Sequence, residues 1–209
     1  MRTGKQISLA LALVLFLLAF GTSCKKSGQQ SETTSGPAVN PYSNESTFDE
    51  VKRKLQANPN DVDLLYRLAD LYDRNSQYNE AVDAYKKVIK VKPDMAYAYF
   101  KLGTVYDRMN NPSEAVKTFK EAQKYMPKNP VLYNNMGVAY GKLGKYSEEA
   151  EALKKAVRLR PNYTAARYNL GMTYLKLKNR KAATKEYEAL KEFDEGAAAN
   201  LLKEIERAS

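Results

Sequence analysis

Few side chains in this chain can do covalent or acid–base chemistry. There is no histidine among its 209 residues, so Ser-His-Asp and Cys-His nucleophilic arrangements and histidine metal sites are absent. Cys24 is the only cysteine, which rules out an intramolecular disulfide. Asp70 and Asp73 make a carboxylate pair of the kind acid–base chemistry uses, but on an exposed helical face such a pair is ordinarily solvated. No glycine-rich phosphate loop occurs. What does recur is positive charge: Arg74, Arg108, Lys142 and Lys176 stand at intervals of 34 residues. Cations of this kind recognise carboxylates. The composition predicts a binding protein with no catalysis, no metal and no cofactor.

The same interval organises the rest of the chain. Pro59, Pro93, Pro127 and Pro161 recur every 34 residues, and a fixed period of that size marks stacked helical hairpins. Between the prolines one column reads Leu68, Leu102, Met136, Leu170, the next Ala69, Gly103, Gly137, Gly171, and three residues on Tyr72, Tyr106, Tyr140, Tyr174. These positions share one face of a first helix, and the small residue admits a close neighbour. A second helix shows Ala81, Ala115 and Ala183, then Tyr85, Phe119, Leu153, Tyr187, then Val88, Ala122, Ala156, Leu190. Breakers lie between the two: Asn75-Ser76, Asn110-Asn111-Pro112, Gly144 and Lys178-Asn179. Each unit therefore reads as helix, tight turn, helix, ended by a proline.

The segments "YFKLGTVY", "AVKTF" and "MP" carry a resemblance to the tetratricopeptide repeat (TPR), covering residues 62–195. The resemblance implies an all-α fold, an α-solenoid of TPR hairpins in a right-handed superhelix. The units run 62–95, 96–129, 130–163 and 164–195. Three columns depart from the pattern. Glu149 stands where Ala81, Ala115 and Ala183 stand, so the third hairpin's contact is expected to shift. Arg167 replaces the bulky Leu65, Tyr99 and Tyr133, and Glu195 replaces the proline, both as polar changes at the solvent-facing end of the array. Residues 47–58 read as an N-terminal capping helix with Phe48, Val51 and Leu55 on one face, opened by a Thr47-x-x-Glu50 capping box. After Gly196, residues 197–208 read as a C-terminal capping helix with Ala198, Leu201, Leu202 and Ile205 in a stripe.

The first 23 residues read as a signal peptide: Arg2 and Lys5 precede an apolar run from Ile7 to Phe20, shorter than the roughly 20 residues a spanning helix needs. Cys24 follows among small residues, which resembles the lipobox of bacterial lipoproteins and implies lipid attachment at Cys24. Gly21 stands where such boxes usually carry leucine, and ordinary cleavage after Gly21 is the alternative. Residues 25–46 hold almost nothing to bury and, with Cys24, read as a lipidated N-terminus and disordered tether. As a flexible coil the tether would span about 25 Å. This layout predicts an exported protein anchored to the cell envelope. Lys25 supplies no aspartate-type retention signal, which favours the outer membrane, on its periplasmic face or at the surface. The formal charge is +10, and residues 25–61 carry as many acidic as basic side chains. The excess sits on the repeats, and in an exported protein it favours acidic protein or anionic lipid partners over nucleic acid.

In proteins similar to this one, first helices line the concave face. Carried over column by column, that face holds Asp63, Tyr97, Val131 and Ala165; Tyr66, Phe100, Asn134 and Tyr168; Asp70, Thr104, Val138 and Met172. Arg74, Arg108, Lys142 and Lys176 complete it. Two readings of the cations stay open: a ladder for an acidic peptide or terminal carboxylate, or charges that offset the helix dipoles. Asp73 and Asp107 adjoin the first two cations, so the more open positive surface is expected at Lys142 and Lys176. Asn135 and Asn169 fill a column that some relatives use to clamp a peptide, where this chain has Arg67 and Lys101 in the first two units. The resulting expectation is a scaffold that binds an extended peptide or partner protein. The alternative is a surface protein that binds an anionic polymer or glycan.

Overall fold

The computed structural model describes residues 44–208. The signal peptide at 1–23, Cys24 and the tether as far as residue 43 lie outside the described residues. Among the described residues ten helices follow one another: α1 (Asn44–Ala57), α2 (Val62–Arg74), α3 (Tyr78–Val91), α4 (Ala96–Arg108), α5 (Pro112–Tyr125), α6 (Pro130–Lys142), α7 (Tyr146–Leu159), α8 (Thr164–Lys176), α9 (Arg180–Lys191) and α10 (Glu195–Arg207). The described residues form an all-α solenoid in which α2 to α9 make four hairpins.

One turn geometry closes every hairpin. Ser76, Asn110, Gly144 and Lys178 occupy the same column and all have positive φ, from 54° to 70°. The next amide reaches back to a tyrosine carbonyl each time: Gln77 to Tyr72, Asn111 to Tyr106, Lys145 to Tyr140 and Asn179 to Tyr174, at 2.8 to 3.0 Å. This left-handed residue and six-to-one hydrogen bond are how a helix C-terminus satisfies its last carbonyls while reversing direction. A glycine is used only in the third turn.

Close approach defines the core. A Cβ added at Gly103 would lie 2.6 Å from the Phe119 ring, and one at Gly137 would lie 2.8 Å from Leu153 Cγ. Glycine is what lets those helices touch. A continuous apolar cluster runs from Leu65 to Leu170. A second is built from Ala183, Leu190, Ala198, Leu201 and Ile205. In the fourth unit the contact with Gly171 is made by Leu201 of α10, 2.5 Å from the position of a Cβ, instead of by Tyr187.

Two boundary expectations and one about exposure are corrected. Helix α1 begins at Asn44, so Thr47 lies inside it and residues 44–46 are helix, not tether. Nothing in Asn44–Ser46 stops a helix, and the Glu50 carboxylate bonds Lys54 at 2.6 Å in place of the capping box. Helix α10 begins at Glu195, because Asp194 caps it by accepting from the Ala197 amide at 2.9 Å. Gly196 therefore sits in its first turn. Arg167 is not a solvent-facing change: it pairs with Glu186 at 2.8 Å, and both side chains are largely buried between α8 and α9. Leu65 and Ala84 hold these two columns in the first unit, so the fourth unit has exchanged an apolar pair for an ion pair.

Candidate functional site

Each first helix ends in a cation, and the register of the solenoid decides what it meets. Asp73 at the end of α2 is only 4% exposed and accepts a hydrogen bond from Arg108 of α4 at 2.5 Å. Asp107 of α4 accepts from Lys142 of α6 at 2.6 Å, and its backbone carbonyl accepts from the same ammonium at 3.1 Å. Both pairs join residues 35 apart, one full repeat and one further position. Such a link ties the end of one first helix to the end of the next.

The third joint is built differently. Gly141 replaces the aspartate, and the carboxylate comes from α7, where Glu149 is 5% exposed and lies 3.7 Å from Lys176 of α8. A Cβ on Gly141 would fall 2.6 Å from Glu149 Oε1. The glycine thus leaves the space that the glutamate occupies, and the two departures from the repeat pattern are one exchange. Burial pushes the Glu149 carboxyl above its usual range, and the Lys176 ammonium draws it back. The ammonium also lies over the Tyr146 ring at 4.9 Å from its centroid, a favourable cation–π distance. Arg74 has no preceding joint and pairs with Asp70 on its own helix at 2.7 Å, while Asp70 also holds Lys101 of α4 at 2.9 Å.

The expectation of an open positive surface at Lys142 and Lys176 is therefore corrected. All four cations of the column face a carboxylate, because the partner of each later cation comes from the preceding hairpin and not from its own neighbour in sequence. Sited in the last turns of their helices, they also complement the helix dipoles.

Other expected groove residues are drawn into the structure to different degrees. Tyr66 lies edge-on to Tyr85 at 5.7 Å between centroids, and Phe100 is tilted against Phe119 at 6.2 Å. The Thr104 hydroxyl donates to the Phe100 carbonyl. Asn134 is buried; it accepts from Asn169 at 3.2 Å and donates to Asn135 at 3.3 Å, an amide chain across the third and fourth units. Tyr168 and Met172 pack against the C-terminal apolar cluster, and Val138 is half-buried. Tyr97 alone among the expected aromatics is mostly solvent-facing, at 60% exposure.

Two open clefts lie away from these columns. The larger, about 1030 Å³, has Leu65, Leu68 and Tyr72 as its floor and α1 and α3 as its walls. The smaller, about 540 Å³, repeats the same columns two units on, with Tyr133, Met136 and Tyr140 between α5 and α7. Ala84 and Ala152 line one each, where the second and fourth units carry the larger Thr118 and Glu186. Neither cleft involves an expected groove residue. Alternation of small and large side chains in that column was the sequence signal for them.

Family models described as tetratricopeptide repeat match residues 55–83, 96–129, 131–163 and 164–196, and one described as TPR repeat matches 74–110. No curated protein sequence matches the chain. Among solved structures, MamA from Desulfovibrio magneticus RS-1 is 23% identical, with a TM-score of 0.70 over 74% of this chain and 87% of that one. YrrB, described as a TPR protein with an unusual peptide-binding site, is 21% identical, with a TM-score of 0.65 over 78% and 93%. PilW, described as a widely conserved type IV pilus biogenesis factor, is 19% identical, with a TM-score of 0.67 over 79% and 78%. At these identities the likeness is one of fold.

The exchange at the third joint predicts a strong non-additivity. Gly141→Asp alone places a second carboxylate against Glu149 and should destabilise the protein by about 1–3 kcal/mol, the usual cost of overpacking. Gly141→Asp with Glu149→Ala restores the arrangement of the first two units and should recover most of that loss, a coupling of about 1–3 kcal/mol in urea unfolding. Equal damage from Gly141→Asp in both backgrounds would refute the exchange.

Proposed function

The chain belongs to the tetratricopeptide repeat family, and from that membership we propose that it is a non-enzymatic protein-interaction scaffold, held at the bacterial cell envelope through Cys24. The first-helix face is its binding groove. The observation that carries this reading is Tyr97: a tyrosine 60% exposed on a first helix contributes little to the fold, and exposed aromatics are the side chains that anchor partners. Val131 and Val138, half-buried, and the amides of Asn135 and Asn169 extend the face along the third and fourth units. Such a mixture suits an extended peptide with apolar side chains, whose backbone amides and carbonyls meet the asparagines.

An acidic ligand is less favoured than the cation column alone implies. Each cation there already faces a carboxylate, and a ligand carboxylate would have to compete with Asp73, Asp107 or Glu149. The envelope address rests on the leader, the position of Cys24 and the tether-like composition that follows. The absence of an aspartate after Cys24 favours the outer membrane.

Crosslinking in intact cells followed by identification of the captured protein supplies the partner, and binding is then measured with the full chain. Tyr97→Ala should weaken it about tenfold or more, the scale of an aromatic anchor, with no change in thermal unfolding. Unchanged affinity would remove the groove assignment. The anchor is tested by the mass of the mature N-terminus. A chain beginning at acylated Cys24 is expected, and an unmodified start at Thr22 would overturn the tethering.

A further inference from the structure

Each second helix passes to the next first helix through a short loop, and the 34-residue period sets these loops side by side along one edge. At the last position of three successive second helices stand Val91, Tyr125 and Leu159. Val91 is 39% and Tyr125 47% exposed, while Leu159 is half-buried against the main apolar cluster. Beside them are Lys90, Lys92, Lys124, Lys128, Arg158 and Arg160, all exposed. Within 90–94, 124–130 and 158–163, Asp94 is the one acidic side chain, and Glu121 ties back Lys124 at 2.7 Å.

Geometry joins the second and third loops into one feature. Tyr125, Lys128 and Arg160 line a shallow depression of about 470 Å³. The Tyr125 ring is held by stacking on Tyr99, 6.0 Å between centroids, and the Arg160 guanidinium lies over Tyr163 at 5.0 Å. The fourth loop reverses sign, with Glu192, Asp194 and Glu195 around Phe193. The amphipathic edge is thus confined to the first three loops.

We propose that this edge docks on an anionic phospholipid surface, with Lys128 and Arg160 meeting headgroup phosphates and Tyr125 entering the interface. Charge alone would serve a nucleic acid equally well. Exposed Val91 and Tyr125 among the cations favour lipid, because apolar side chains gain from an interface, tyrosine settles at headgroup depth, and basic residues are drawn to an anionic leaflet. This surface is distinct from the first-helix groove, and docking requires neither the groove nor acylation of Cys24.

The test uses residues 40–209, which contain both apolar clusters and lack Cys24. The fragment should cosediment with phosphatidylcholine vesicles containing phosphatidylglycerol, not with pure phosphatidylcholine, and should be released by salt. Lys92→Glu, Lys128→Glu and Arg160→Glu together should lower partitioning by more than about a hundredfold, since losing each cation is worth roughly a factor of five near the surface and each added carboxylate is repelled as well. Lys117→Glu, Lys181→Glu and Lys185→Glu make the same change in net charge elsewhere and should retain most binding. The chain has no tryptophan, so Tyr125→Trp gives a single reporter whose emission should shift to the blue on anionic vesicles. Equal loss in the two triple variants, binding indifferent to phosphatidylglycerol, or an unshifted reporter would overturn the proposal. Retention on duplex DNA with no vesicle binding would also overturn it, in favour of nucleic acid.

Discussion

At each of three joints a carboxylate from one hairpin meets a cation from the next, and what the proposed groove could offer a partner depends on that meeting. Apolar burial and the Gly103 and Gly137 contacts hold each hairpin together, but those contacts face the interior. The ion pairs lie where successive first helices end, so they fix the step between repeats and also occupy the charges nearest the groove. A nearly buried carboxylate such as Asp73 needs its partner, since removing one member of a desolvated pair leaves an uncompensated charge. The same chemistry that orders the array therefore lowers the number of cations available to a ligand.

The third joint shows how the constraint is kept when its parts move. Asp73 and Asp107 supply the acid from a first helix; Glu149 supplies it from a second helix, and Gly141 yields the space. The fourth hairpin makes a comparable exchange when Arg167 and Glu186 take positions that are apolar in the first. In both cases a substitution that looks like erosion of the repeat is half of a pair. Departures from a repeat pattern carry information when they are read two at a time.

Most of the fold was legible because the period is strict. Four tyrosines accept the turn-closing hydrogen bonds from the same column, and the left-handed position falls at Ser76, Asn110, Gly144 and Lys178 with only one glycine to announce it. Helix ends were read less well: the cap at Asp194 outweighed Gly196 as a boundary, and α1 ran back past the expected start at Thr47. The candidate site was legible as a set of columns and not as a set of contacts. Asp73 and Asp107 each stand beside a cation in sequence, whereas the structural partner of each lies 35 residues on. That offset is visible in the chain, as Asp73 with Arg108 and Asp107 with Lys142, once columns of adjacent repeats are compared with a shift of one.

These charges link repeats and do not wait for a ligand. A double-mutant cycle on Asp73→Asn and Arg108→Gln, read by urea unfolding in the absence of any partner, measures that link. A favourable coupling of about 1 kcal/mol or more is expected between the two side chains, as befits a pair with one buried member. A coupling indistinguishable from zero would mean that Arg108 is only a solvated cation, and that the column is available to bind after all.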